Sequence, residues 1–333
     1  MSKFLKACVL NDLNSCKTLF SETCKDDKLS CLMIACNNGY IDIVNFLLDF
    51  CVDINSKDES GNTPIMNACN RCQVDTVKLL IDRGADINTS NNYGENLIIL
   101  SCTYPNDEML ELLLSYNMDV NKEDNRGITG LILSCNLGYL NKVNLLINKG
   151  ADVNKISLSG NTCLIGGCVQ FRQDIVRILL NNNVDINHRG NNGITSLMLM
   201  CIYGNDNMIE FLLNNGADIN IVDNNGNNCF IHLCDSSVCI DKYSTLKFLI
   251  DRGADISHRN NNGCTGFELL YKKKPEYLNI LKYIIDNGHD YRNYVYETNE
   301  ILETYQNNVK NKIASNLFYS IVMLSDKYFT IED

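Results

Sequence analysis

The chain has 333 residues, 49 of them asparagine, with 17 cysteines, no tryptophan and three prolines. Its formal net charge is −11 and its pI about 4.9, so a polyanion such as nucleic acid is excluded as the main ligand on bulk electrostatics. No apolar run approaches the ~18 residues that span a bilayer, and Met1–Asn11 has too short an apolar core for a signal peptide.

The elements follow one period from near the start of the chain. Phe4 to Phe20 reads as a helix pair, with Ala7-Cys8 and Leu19-Phe20 matching Ala35-Cys36 and Leu47-Leu48 at a step of 28. From there the step is 33. Cysteine recurs at Cys36, Cys69, Cys102, Cys135, Cys168, Cys201 and Cys234, and glycine at Gly61, Gly94, Gly127, Gly160, Gly193 and Gly226. Aspartate recurs at Asp53, Asp86, Asp119, Asp152, Asp185 and Asp218. Three residue types in one register mean a tandem repeat, and at this period the repeat decides the fold.

One unit shows how the repeat is built. Asp58-Glu59-Ser60-Gly61 is a turn whose glycine supplies a left-handed backbone angle. Thr63-Pro64 is a helix start, threonine as N-cap and proline at the first helical position. A short helix follows through Cys69, then a loop, then a second helix with Val77, Leu80 and Ile81 at helical spacing, ending at Gly84. The apolar runs of the second helices are Ile43–Leu48, Val77–Ile81, Met109–Leu114, Val143–Ile147, Ile175–Leu180, Met208–Leu213, Leu246–Ile250 and Ile280–Ile285. The seventh unit is longer by four residues and the eighth by two, near Ser236–Lys242 and Lys272–Glu276.

Asp58-x-x-Gly61-x-Thr63-Pro64-Ile65, Ala68, and Leu79-Leu80-Ile81-x-x-Gly84-Ala85-Asp86-Ile87-Asn88 resemble the ankyrin repeat. The resemblance implies an all-α ankyrin repeat solenoid of about eight helix-turn-helix repeats with β-turn fingers. The organisation expected is a helical N-terminal cap over residues 1–27, repeats over 28–290, and a helical cap or docking segment over 291–333, where Ile313, Leu317, Ile321 and Leu324 have helical spacing. The asparagine-rich composition, with cysteine in the first helix, is similar to that of ankyrin proteins of large DNA viruses of amoebae. The histidine of the family's Thr-Pro-Leu-His motif is missing throughout; its place holds Met33, Met66, Ile99, Ile132, Ile165, Met198, Ile231 and Glu268. The helix-ending glycine is replaced by Cys51, Asn117 and Asn183.

Chemistry has little footing. One thiol per layer cannot supply the four converging ligands of a zinc site, and Cys229, His232, Cys234 and Cys239 lack a second pair at finger spacing. Neighbouring helices lie ~8–10 Å apart, too far for the ~7 Å between Cα atoms that a disulfide spans, so the cysteine ladder reads as small buried thiols in a reducing compartment. Single aspartates one layer apart cannot gather the 6–8 oxygens of a calcium site and read as turn-bonding residues. No hydrolytic triad, phosphate loop or H-E-x-x-H appears. The expectation is a chain without enzymatic activity, cofactor or metal.

The resemblance places a partner surface in the groove lined by first helices and turn tips. Its residues here are Leu100, Thr103, Tyr104, Leu133, Leu137, Val169, Gln170, Leu199, Ile202 and Tyr203, with Tyr93, Arg126, Leu158 and Arg189 at the tips. The expected function is non-catalytic binding of a partner protein by a cytoplasmic monomer (in a host cell, if the protein is viral), with neither nucleic acid nor membrane as partner. The alternative is an adaptor that hands its target to ubiquitination machinery through the C-terminal segment.

Overall fold

The computed structural model describes residues 1–236, 243–273 and 283. They form two compact units, Met1–Asn224 and Asn225–Asp333. In the first, α1 (Lys3–Val9) and α2 (Leu13–Leu19) are the opening pair. Six more pairs follow: α3 (Lys25–Asn38) with α4 (Ile41–Asp49), α5 (Pro64–Asn70) with α6 (Val74–Asp82), and α7 (Leu97–Ser101) with α8 (Glu108–Leu114). Then come α9 (Gly130–Leu137) with α10 (Leu140–Asn148), α11 (Cys163–Val169) with α12 (Gln173–Asn181), and α13 (Ser196–Tyr203) with α14 (Asp206–Asn214). The second unit contains α15 (Cys229–Asp235), α16 (Tyr243–Asp251) and α17 (Gly266–Lys273) among the described residues. No sheet forms among them; two isolated antiparallel bridges, Ser90 with Asn96 and Ile156 with Thr162, mark turn fingers. The described residues are all-α, and in the first unit the helix pairs stack in chain order.

Burial explains the two kinds of helix. First helices stack on first helices, α3 on α5, α5 on α7 and onward to α13, so each is covered on several sides. Every residue of α7 is accordingly buried, the signature of a helix that is apolar all round. Second helices keep one wet face; in α4 the buried residues are Ile43, Val44, Phe46 and Leu47. All seven ladder cysteines are buried. Beside Cys168 the second helix packs so close that the repeat takes glycine: a Cβ on Gly167 would meet Ile175 and Val176 at 3.1 and 3.2 Å.

The opening pair has lost its finger. Between α2 and α3 stands a 3₁₀ turn, Phe20–Glu22, and α3 begins at Lys25, ahead of residue 28. The five residues missing from the repeat are thus the turn finger itself. The pair is sealed by Phe4, Phe20, Phe46 and Phe50, whose neighbouring rings lie 5.0–6.2 Å apart, with Lys28 over the Phe20 ring.

The loop between the two helices requires a left-handed residue. It is Gly39, Cys72, Gly138, Phe171 and Gly204 at successive places of the register, with φ of 75°, 55°, 73°, 54° and 67°. The third repeat has Pro105 there, and proline cannot take positive φ. Its loop opens: α7 is five residues long and α8 starts late, at Glu108. Lys142, from α10 of the next repeat, fills the gap. Its side chain is fully buried, and its ammonium donates to the Ser101 carbonyl at 2.9 Å and to the Asn106 carbonyl, with Asp107 Oδ1 3.7 Å away. The carbonyls that a shortened helix leaves open are satisfied by a side chain from one repeat on.

The second helix of the eighth repeat, apart from Tyr283, lies outside the described residues, as do Cys239, most of both insertions and the whole of 291–333. Tyr283 donates to the Asp251 carboxylate beneath Lys247.

Candidate functional site

The fingers are made rigid by short-range bonds that the sequence dictates. In the first three, a side-chain oxygen at the turn start accepts two backbone amides. Asp58 holds Ser60 and Asn62, Asn91 holds Tyr93 and Glu95, and Asp124 holds Arg126 and Ile128, at 2.8–3.0 Å. Neighbouring fingers then join through the backbone: Asn92 N to Ser60 O, Asn125 N to Tyr93 O and Leu158 N to Arg126 O. This approach leaves no space at the turn glycine. A Cβ on Gly94 would lie 2.6 Å from Asn125 N, at a φ of +77°.

The aspartate ladder bonds as expected within its own turn, Asp86 to Asn88 N and Asp152 to Asn154 N, at 2.8 and 2.9 Å. The asparagine two residues on does more. Asn55, Asn121, Asn154 and Asn187 each accept the backbone amide of the next repeat's ladder aspartate, at 2.8–2.9 Å. The asparagine-rich composition is partly a set of inter-repeat bonds.

On this frame the candidate residues fall into two patches. At the finger tips, Tyr93, Glu95, Asn125 and Arg126 line an open depression of about 330 Å³, with Tyr93 61 % exposed. Arg126 is not a free cation there. Its guanidinium lies 2.7 Å from the buried Asp124 carboxylate and 3.8 Å from Glu95, so it holds the shape of the depression. Leu158 stands out from the next tip, and Arg189 donates to Asn224. The second patch lies at the far ends of the first helices, about 12 Å along an eight-residue helix. Tyr104, Leu137, Val169 and Tyr203 are exposed there. Thr103 is exposed, and Leu133, Leu199 and Ile202 are half-buried.

One expectation needs correction, and one exposed candidate already has a bond within the stack. Leu100 is only 6 % exposed, enclosed with the rest of α7, and has no face to offer a partner. Gln170 is exposed, but its amide donates to the Asn136 carbonyl at 2.7 Å, stitching its repeat to the one before. One surface residue escaped the sequence reading. Phe171 is 52 % exposed and meets the Tyr203 ring edge-on, centroids 6.4 Å apart. The signal was available: a bulky aromatic occupies the register place that glycine fills in three other repeats.

The ladder thiols are buried. All sixteen cysteines of the described residues are free. Burial pushes the Cys168 thiol up to about 12 and raises those of Cys36, Cys69 and Cys102, so nucleophilic thiolate is suppressed. Cys229 and Cys234 are buried, and among the described residues no three His, Cys, Asp or Glu side chains are placed to hold a metal ion. No helix among them is long and apolar enough to cross a membrane.

Stacked helix pairs, stitched finger to finger and presenting an exposed apolar rim, define a repeat protein that works through its surface. The family profile "Ankyrin repeats (3 copies)" matches residues 4–91, 87–157 and 165–260, most of the chain. The protein therefore belongs to the ankyrin repeat family, whose repeats generally mediate protein–protein interactions and are typically non-catalytic. The first match begins inside α1, so it takes in the opening helix pair. No curated protein is matched by the chain.

Proposed function

We propose that this chain is a non-catalytic scaffold that holds one partner protein against its finger tips and first-helix ends, acting as a cytoplasmic monomer. One observation carries the reading: exposed apolar and aromatic side chains recur across repeats three to six on elements joined by backbone bonds within and between repeats. Surface aromatics on a rigid support are the usual carriers of binding energy, and rigidity lowers the entropy lost on association. The buried free thiols suit the reducing cytosol.

The test is the double replacement Tyr104→Ala with Tyr203→Ala. Both rings are exposed, so the melting temperature should stay within a few degrees. In affinity capture from the natural cellular environment, the partner held by the wild type should be lost or at least tenfold depleted. Undiminished capture by a correctly folded double variant would remove the first-helix ends from the binding surface.

A further inference from the structure

We propose that Cys8 and Cys31 are an oxidation site, joined by hydrogen peroxide into a disulfide that fastens the opening helix pair to the first full repeat. The inference goes beyond the scaffold reading and does not depend on it.

The first support is the register. In three repeats the ladder cysteine faces the place that Pro64 holds, the start of the first helix one repeat on. Cys69 Sγ donates to the Leu97 carbonyl at 3.5 Å. A Cβ on Gly130 would lie 3.3 Å from Cys102 Sγ, and a Cβ on Gly266 3.1 Å from Cys234 Sγ. Across a disulfide a Cβ lies about 3 Å from the far sulfur. A cysteine at this place thus stands within bonding reach of the ladder, although one ladder cysteine does not reach the next. In the opening pair the ladder residue is Cys8, and the place one period before Pro64 is Cys31. Cys8 Sγ donates to the Cys31 carbonyl at 3.2 Å.

The second support is a cluster of three thiols. Cys8, Cys16 and Cys31 are fully buried, and the Cys31 thiol hydrogen-bonds with those of Cys8 and Cys16. The cluster is asymmetric. Donation from Cys31 holds the Cys8 thiol below its ordinary value, and the same bond pushes the Cys31 thiol up. Burial raises Cys16 to about 11. Cys8 is therefore the ready nucleophile of the three, and Cys31 stays protonated beside it.

The third support is the contrast with Cys135 and Cys163, which hold the same two register places and whose thiols also hydrogen-bond. There burial drives the Cys135 thiol well up, and α9 and α11 bury five residues each. The opening pair is held less firmly: α1 buries Phe4, Ala7 and Cys8, and α2 buries Cys16. Helices that bury little open at low cost, which admits peroxide to the first pair and not to the second.

The chemistry balances with peroxide as the one co-reactant. The Cys8 thiolate attacks a peroxide oxygen, the O–O bond breaks, and hydroxide leaves with the Cys8 proton as water. Cys8 is then a sulfenic acid. The Cys31 sulfur attacks the Cys8 sulfur, the S–O bond breaks, and the hydroxyl leaves with the Cys31 proton as a second water. Two thiols are oxidised to one disulfide, and one peroxide is reduced to two waters.

The experiment treats the full, reduced chain with hydrogen peroxide at neutral pH, quenches it with N-ethylmaleimide and maps it by tandem mass spectrometry after tryptic digestion. A species joining residues 7–17 to residues 29–57 should form, with fragments that place the bond at Cys8 and Cys31. It should form roughly tenfold faster than any bond between Cys135 and Cys163, and amide hydrogen exchange in α1 and α2 should slow by a similar factor. Dithiothreitol should reverse both, and exchange in α13 should not change. Cys16→Ser should leave the bridge in place. Cys31→Ser keeps a hydroxyl donor beside Cys8 but removes the second sulfur, so Cys8 should collect as sulfenic acid and be trapped by dimedone. Oxidation of the exposed Cys24 and Cys51 with Cys8 and Cys31 left reduced overturns the proposal. So does a bond from Cys31 to Cys16 with Cys8 free, or equally fast bridging of Cys135 with Cys163.

Discussion

At the scale of single residues, one helix cap of the repeat motif is left unmade although its sequence is intact. Met66, in the histidine's place, is buried. The neighbouring N-cap Thr63 makes no capping bond, and its buried hydroxyl has no partner. Thr129, at the same place two repeats on, is capped to Ile132 N at 3.2 Å. The two threonines should respond oppositely to the same change. Thr63→Val removes an unsatisfied buried hydroxyl and should leave stability unchanged or raise it by about 1 kcal/mol. Thr129→Val loses a cap and should lower it by about 1 kcal/mol. Urea denaturation of the two variants checks this, and equal losses would contradict it. The motif showed that both residues are caps; that only one is satisfied depends on local geometry that spacing does not encode. Leu100 was misplaced for a related reason. Its register position lies toward the groove, but the five-residue α7 is enclosed on all sides.

Among the elements, helix type and order were readable throughout because period, turn glycines and caps agreed. The runs read from apolar spacing lie inside α4, α6, α8, α10, α12, α14 and α16. The third repeat was legible only in part. Pro105 is one of three prolines in the chain and announces that its loop departs from the others. That Lys142 repairs the loop was hidden, because its place in α10 belongs to a buried ladder of Ile43, Thr76, Met109, Ile175 and Met208, where a lysine reads as an oddity. Lys142→Met keeps the volume but strands two carbonyls. It should destabilise the protein by about 1–3 kcal/mol, whereas at an ordinary position of that ladder methionine is native. A thermal or urea melt of the variant at or above wild-type stability would show that the ammonium contributes nothing to closing the loop.

For the molecule as a whole, the cysteine ladder sets an alkaline limit. Burial raises Cys36, Cys69, Cys102, Cys135 and Cys168 of the ladder above their usual value, Cys168 to about 12. In the unfolded chain they ionise near 8.5. Below that pH both states hold neutral thiols and the contribution is complete. Above it the unfolded state releases protons that the native state retains, so stability falls, by about 1.4 kcal/mol per pH unit for each fully buried thiol, until the native thiols titrate. Melting temperatures should therefore be flat from pH 7 to 8 and drop steeply from pH 9 to 10.5. A flat profile over the upper range would mean that the thiols are open to solvent. Fold class and family were legible at this scale because the repeat is written many times over. The exposed row at the first-helix ends was legible only in outline, since Phe171 stands out through a backbone angle and a ring contact that no motif records.

The lysine that closes the third loop reaches its acceptor carbonyl from 36 residues later in the chain. During synthesis at roughly 5–20 residues per second, the ribosome needs about two to seven seconds to deliver it. Through that interval the nascent third repeat is complete in sequence but unlatched, a moment at which a chaperone or a protease would find it open.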